Sequence, residues 1–296
     1  MNKSAFTILL SICLVALYAC NEKTKNAAFQ HPIVKNQDVI IDYTDTHTGD
    51  TTLLFVHGWC INKTYWSNQV SYFKSRYRIV TIDLPGFGNS GKNRNVWTTA
   101  AFGEDVSAVI TQLHLKNVIL IGHSMAGDII VQAAKNKPEQ VIGIIGIDNF
   151  KSVGVGSKQS KEASKADSIG YRKAIDSLRH NFKKIAFEYF NQDLFYKTTS
   201  KAVKDRVLND VAHVNTAIAS DCMEQDNFDE SKELLKTKKK LCLINSDVKP
   251  TNTTGLKRNK IPFQIWYIHA TGHFPMVEKP HEFNVLLSQA IKKTSV

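Results

Sequence analysis

Ser124 stands where an apolar run, Val118 to Gly122, gives way to a helical pattern that continues through Asp128, Ile129, Ile130, Val131, Ala133 and Ala134 until Lys137-Pro138 stops it. Its hydroxyl is therefore expected on a sharp strand-to-helix turn. Such a turn lifts a nucleophile clear of a sheet, and the helix starting there aims backbone N–H groups and its positive dipole end at an oxyanion formed on the attacked carbon. Gly122, Ser124 and Ala126 match the spacing G-x-S-x-G with alanine in the last place. That position needs an absence of bulk where two backbones approach, and a methyl group is the smallest addition to glycine.

The elements that must position this serine are legible as strands alternating with helices. Asp38 to Tyr43, Thr51 to Val56, Tyr77 to Ile82, Val118 to Gly122, Val141 to Ile147, Leu241 to Ile244 and Gln264 to Ile268 read as strands, several of them continuously apolar. Tyr65 to Arg76, Trp97 to Leu113 and Pro280 to Ile291 read as helices. This rhythm predicts an α/β fold with a mostly parallel sheet covered on both faces, whose reactive groups collect at the carboxyl ends of strands. His57, Asp83, Ser124 and Asp148 all fall at such ends. Between Lys151 and Lys240 the strand rhythm stops and helical segments take over, around Tyr171 to His180, Phe182 to Phe190, Val203 to Val214 and Ser231 to Lys236. We expect an inserted helical lid there, with Phe150, Phe190 and Phe195 as candidates to line a restricted apolar site. Gly154 and Gly156 lack the third glycine and the tight turn of a dinucleotide fingerprint.

With 296 residues, 43% of them hydrophobic, the chain can bury one large core. A net charge of +11 raises the question of nucleic acid, but the lysines are dispersed and the run Lys236 to Lys240 has no interleaved aromatics, so no nucleic-acid partner is expected. Cys13 and Cys20 precede the globular part, and Cys60, Cys222 and Cys242 form no paired spacing. No histidine pair has metal-ligand spacing, so neither metal nor cofactor is expected. Lys3 followed by an apolar run from Ala5 to Ala19 has the charge, length and small-residue end of a secretory signal peptide. Leu17-Tyr18-Ala19-Cys20 resembles a bacterial lipobox, with Tyr18 in place of the usual small residue. Cys20 is then the lipidated first mature residue, and the protein is held at the cell envelope by its N-terminal lipid, the alternative being simple secretion. Asn21 after the cysteine resembles lipoproteins of the outer membrane where a cell has two membranes. The expected organisation is a signal peptide over 1–19, a tether over 20–37, a core over 38–150 and 241–296, and the lid over 151–240.

From Asp38 through Ile291 the chain resembles the α/β-hydrolase fold superfamily. His57-Gly58-Trp59 resembles its HG loop, Asp83-Leu84-Pro85-Gly86-Phe87-Gly88-Asn89-Ser90 its DxPGfGxS loop, Gly122-His123-Ser124-Met125-Ala126-Gly127 its nucleophile elbow, and Gly272-His273-Phe274 its catalytic histidine loop. The resemblance implies Ser124 as nucleophile, His273 as its base, and the backbone amides of Trp59 and Met125 as an oxyanion hole, with His123 structural. The acid departs from the commonest pattern. Aligning Pro250 with the proline of the relatives' G-x-x-D-P turn puts Lys249 on the acid, and a lysine cannot orient an imidazolium. Asp148 and Asp247 remain; both keep the order serine, acid, histidine, and Asp148 is preferred because its strand end needs no loop remodelling to face His273. The implied activity is hydrolysis of a carboxylic ester or related small acyl compound through an acyl-enzyme. A carbon–carbon bond hydrolase, a lactonase or a perhydrolase would use the same residues, and a lipid-anchored binding protein without turnover is the alternative from another class. Dehalogenases and epoxide hydrolases of this superfamily carry an aspartate where Ser124 stands.

Overall fold

The continuously apolar strands lie in the centre of an eight-stranded sheet with the order β1-β2-β4-β3-β5-β6-β7-β8. The structure, a computed structural model, describes residues 32–155, 161–224 and 228–294. The expected signal peptide, Cys20 and the first part of the expected tether lie outside the described residues. The strands are β1 (Ile33–Asn36), β2 (Val39–Asp45), β3 (Thr52–Val56), β4 (Arg78–Ile82), β5 (Val118–His123), β6 (Val141–Ile147), β7 (Leu241–Ser246) and β8 (Phe263–Ile268). β1 and β2 pair antiparallel, as do β2 and β4; every other pairing is parallel. Every residue of β3, β5 and β7 is buried, which is why these strands carry Val, Ile and Leu on both faces rather than alternating. This is the α/β-hydrolase fold.

β1 lies inside the span read as a tether. It turns back at Gln37, which has φ 53°, and pairs with β2 from Ile33↔Asp42 to Asn36↔Val39. Among its four residues only Val34 is buried. One inward side chain is too little for a periodic signal, so the strand is specified by its partner rather than by its own pattern.

Helices α1 (Ser67–Phe73), α2 (Thr99–Gln112) and α3 (Ala126–Asn136) connect the parallel strands. Thr98 caps α2 by accepting the Ala101 N–H. Between β6 and β7 the chain is helical: α4 (Lys161–His180), α5 (Phe182–Tyr189), a π turn (Phe190–Leu194), α6 (Lys201–His213), α7 (Thr216–Asp221) and α8 (Glu230–Thr237). Ser200, Asn215 and Asp229 cap α6, α7 and α8 through their side-chain oxygens. α4 begins well before the Tyr171 expected from periodicity, because Lys161 to Ser168 is composed of helix formers and short polar residues without an apolar stripe. α9 (Thr254–Arg258), α10 (Pro275–Glu278) and α11 (Pro280–Thr294) complete the chain.

One buried ion cluster fixes the loop that follows β3. Lys63, 7% exposed, places its ammonium between the carboxylates of Asp42 and Asp83, with Nζ 2.7 Å from Asp83 Oδ2. Asp83 also accepts the Lys63 N–H at 2.7 Å and the Asn89 N–H at 2.9 Å. β2, β4 and the loop after β3 thus converge on one charge. Removing it withdraws the shared ammonium from two facing carboxylates, and breaking a buried pair from one side costs about 3–5 kcal/mol. Lys63→Met is therefore expected to lower the unfolding free energy by about that amount, read from equilibrium urea denaturation; a loss below 1 kcal/mol would show that the cluster is solvated.

Candidate active site

Ser124 has φ 55°, a left-handed backbone that a non-glycine residue holds only when its surroundings impose it. The surroundings here are the sheet itself. The Ser124 N–H donates to Ile147 O at 3.0 Å, extending the β5–β6 ladder past the strand end, and Asn149 Nδ2 donates to both Gly122 O (2.9 Å) and Ser124 O (3.2 Å). Gly122 is required by contact: a Cβ there would lie 2.6 Å from the Ala126 carbonyl oxygen. The methyl of Ala126, in contrast, is accommodated and fully buried. Met125 then leads into α3, so the turn expected at the serine is present with its helix directly behind it.

Asp148 sits one strand over in a second left-handed turn (φ 47°), its N–H donating to Ile244 O at 3.0 Å. Its Oδ2 lies 2.6 Å from His273 Nδ1. Its Oδ1 accepts from the Ser246 N–H at 2.7 Å and the Ser246 hydroxyl at 2.8 Å, and Lys151 Nζ stands 2.7 Å away. Burial alone would push this carboxyl's pKa up, but the bond and charge of His273, joined by Lys151, outweigh it and hold the group well below the ordinary carboxylate range. Asp247 is elsewhere: its carboxylate lies at the surface, 3.1 Å from His269 Nδ1. Of the two candidate acids, the structure brings Asp148 to His273.

Ser124, His273, Trp59 and Met125 line one cavity of about 540 Å³. No acceptor is found among the described residues for the backbone N–H of Trp59 or of Met125. The Trp59 indole N–H donates to Ala219 O of α7 at 2.7 Å, and its ring packs against Phe182 and Phe190. Phe190 faces the cavity; Phe150 instead packs beside Gly127 and Gly146 in the core, and Phe195 packs on Phe274. His57 is structural. Its Nε2 accepts the Leu84 N–H at 2.9 Å, so Nδ1 carries the proton and donates to Gly58 O at 2.8 Å, stapling the two loops together. Among the described residues no group of His, Cys, Asp and Glu could hold a metal ion.

His123, the residue before the serine, has a fully buried ring whose centroid is 4.6 Å from that of His273. Its Nε2 lies 2.7 Å from the His273 carbonyl oxygen, which only accepts, so the proton is on Nε2. Burial, reinforced by the nearby His273, pushes its pKa down to about 3. Ser246, Lys151 and Asn149 are the residues at this site that sequence reasoning missed. Ser246 and Asn149 act by contacts to segments far along the chain, which leave no local spacing to read, and Lys151 joins its near neighbour Asp148 to the distant carbonyls of Ser246 and Lys249.

A family model described as the alpha/beta hydrolase fold matches residues 51–172. The chain is 35% identical over 92 residues to the uncharacterized hydrolase YugF of Bacillus subtilis, covering 31% of this chain and 34% of that protein. It is also 35% identical over 103 residues to a pimeloyl-(acyl-carrier protein) methyl ester esterase of Aliivibrio salmonicida, covering 35% of this chain and 38% of that protein. The chain thus spans little more than a third of either curated relative. Among solved structures, a thermophilic esterase from Thermogutta terrifontis matches with a TM-score of 0.74 and 19% identity over 90% of this chain and 100% of that one, a likeness of fold.

The depressed pKa of His123 makes a pH prediction. Between its ordinary value of 6.5 and about 3 the unfolded chain binds a proton that the folded chain does not, so stability is full above that window and is lost as pH falls through it. One such group contributes about 1.4 kcal/mol per pH unit. Urea denaturation at pH 6, 5 and 4 is expected to show a slope smaller by about that amount in His123→Gln than in the wild type; equal slopes would mean that the buried imidazole takes up its proton in the folded state.

Proposed function

We infer that this chain, which has the α/β-hydrolase fold, is a serine hydrolase that cleaves a carboxylic ester or related acyl compound through a triad of Ser124, His273 and Asp148. The observation that carries this is the 2.6 Å contact of Asp148 with His273 Nδ1, made from the strand end beside a left-handed Ser124 that lines the same cavity as that histidine. With Nδ1 committed to Asp148, Nε2 is the nitrogen left to act as base. In the forward step Ser124 Oγ bonds to the acyl carbon while its proton passes to His273, and the carbonyl electron pair becomes an oxyanion held by the Trp59 and Met125 amides. Each such donor is worth about 2.7–4 kcal/mol in comparable sites. Collapse expels the alcohol, which takes the proton from His273. A water molecule then repeats the cycle on the acyl-enzyme and returns Ser124 to its starting state. Every atom and proton is supplied by substrate, water and these side chains, so the reaction calls for no cofactor. Trp59, Phe190, Leu194, Met125, Ile129 and Phe274 give the cavity one apolar wall, suited to an apolar acyl or alcohol group, while Thr99, Tyr171 and Glu224 add polar lining.

We further propose that Cys20 carries the lipid that holds the enzyme at the cell envelope, on the lipobox-like end Leu17-Tyr18-Ala19-Cys20. Cys20→Ser is expected to move the protein from the detergent-extracted membrane fraction to the soluble one. A wild type already soluble, with no acyl mass at its N-terminus, would leave secretion in its place.

The catalytic assignment is checked with p-nitrophenyl acetate and a serine-reactive phosphonate. Ser124→Ala is expected to abolish both turnover and labelling. Asp148→Asn is expected to lower kcat by about 10⁴-fold, as loss of the orienting carboxylate does in other triads. Asp247→Asn, by contrast, should stay close to the wild type. The opposite ranking of the two aspartates would give the acid role to Asp247, and equal labelling of the wild type and Ser124→Ala would remove the serine from the mechanism.

A further inference from the structure

His273 is carried by a loop, Ala270 to Phe274, between β8 and the short α10, and a base on a loop has to be held to a fraction of an ångström to work. The side-chain bond to Asp148 orients the ring but does not locate the backbone. Two contacts bear on the His273 peptide itself: its N–H donates to Leu194 O at 2.7 Å, and its carbonyl accepts from His123. The peptides on either side share a different partner. The Gly272 N–H donates to Glu278 Oε2 at 3.0 Å and the Phe274 N–H to Glu278 Oε1 at 3.2 Å, so one carboxylate brackets the histidine. The same Oε2 accepts the hydroxyl of Thr199 at 2.6 Å. Thr199 is buried and belongs to the helical insertion, where its Oγ1 also accepts the Tyr196 N–H at 2.9 Å. The packing leaves no room for anything else: a Cβ at Gly272 would lie 2.5 Å from Leu194 O and 2.8 Å from Glu278 Oε1.

We propose that Glu278 is the positioning residue for His273, clamping the amides of Gly272 and Phe274, and that Thr199 locks this clamp to the helical insertion. The proposal rests on the reading of His273 as the base of a serine hydrolase. Glu278 does not touch substrate or the reacting atoms; it acts through the histidine loop. A carboxylate suits the task because it offers acceptors on both oxygens at once, whereas a carboxamide offers one acceptor and presents a donor to the other amide. Hydrogen bonds from neutral donors to a charged acceptor are also the stronger kind. The bond to Thr199 makes the base loop and the insertion a single piece, so that displacing the segment around Leu194 to Thr199 would release the base as well as uncover the cavity.

The test uses the full chain and the variants Glu278→Ala, Glu278→Gln and Thr199→Val, with two readouts. The first is kcat and KM for p-nitrophenyl acetate together with the rate of phosphonate labelling. Glu278→Ala is expected to lose about 100-fold in kcat and in labelling rate with KM within threefold, the pattern of a lost transition-state interaction. Glu278→Gln should recover part of that loss, and Thr199→Val should fall between Gln and wild type. The second readout needs no turnover: the low-field proton resonance of the His273 Nδ1–H bonded to Asp148 is expected to broaden or shift upfield in the same rank order. Urea denaturation of each variant separates these effects from global stability, and if Glu278→Ala does not fold, Glu278→Gln and Thr199→Val carry the test. A folded Glu278→Ala, or folded Gln and Val variants, with wild-type kcat and an unmoved Nδ1 proton would overturn the proposal. A wild type that neither hydrolyses the ester nor takes the label would instead overturn the hydrolase reading, and the proton resonance would still decide whether Glu278 holds the histidine.

Discussion

Two backbone hydrogen bonds, from the Ser124 N–H to Ile147 O and from the Asp148 N–H to Ile244 O, carry the parallel ladder one residue beyond its strands. The rest of the site depends on them. Register pairs His123 with Ile147 and Ile147 with Ile244, so β5 and β6 end level while β7 runs two residues further, to Ser246. Strands buried on both faces are locked by close packing of their side chains against the helices on either side, and this fixes the heights of Ser124 and Asp148 far more firmly than any loop contact would. The residues at these ends then leave the sheet in left-handed conformations: Cys60, Ser124, Asp148 and Phe150 all have positive φ without being glycine. Such backbones cost about 1–3 kcal/mol each and persist only where packing over-determines them. Here the sheet supplies that packing, and the strain is concentrated where the chain must turn abruptly to present a side chain.

Burial then sorts the ionisable groups by charge. His57 and His123 sit in fully buried positions where desolvation pushes their pKa down, so each serves as a neutral donor, to Gly58 O and to His273 O respectively. Asp148 is nearly as buried yet stays ionised, because the bond and charge of His273 hold one oxygen and Lys151 lies beside the other, which also accepts twice from Ser246. The difference lies in partners rather than depth. A carboxylate with this many donors is a fixed negative charge against which an imidazolium can form, whereas Asp247 at the surface faces solvent and His269.

How much of this was legible in the chain follows from the range of the forces involved. Continuous apolar runs announce buried parallel strands, and small residues around Ser124 announce the turn, because both are local. Chain order does not separate Asp148 from Asp247, since each lies between serine and histidine; that Asp148 is the one beside the histidine loop is a matter of three dimensions. β1 was read as tether since a four-residue edge strand with one inward side chain has no periodicity of its own. Ser246, Lys151, Asn149 and Glu278 were invisible for a different reason. Ser246 and Asn149 act across 98 and 25 residues, while Lys151 and Glu278 reach near neighbours, Asp148 and the Gly272 and Phe274 amides, by contacts that no sequence pattern marks.

The helical insertion meets both halves of the site through backbone oxygens. Ala219 O holds the Trp59 indole, whose own amide lines the cavity, and Leu194 O holds the His273 amide. A carbonyl is present whatever the side chain, so these two anchors constrain the path of the insertion without constraining its sequence at 194 or 219. Leu194, Phe190, Tyr189, Met223 and Phe228 line the cavity with their side chains. They can therefore change the shape of the apolar wall while the carbonyls keep the Trp59 loop and the histidine loop in register with the sheet. At Thr199 the insertion reaches the carboxylate that brackets the histidine through a side-chain hydroxyl, beside the Thr198 hydroxyl on Ala270 O and the rings of Phe190 and Phe195 on Phe274. Substitutions in the insertion should thus divide physically into wall residues, which alter what enters, and the Thr199 link to Glu278, which alters how firmly His273 is held.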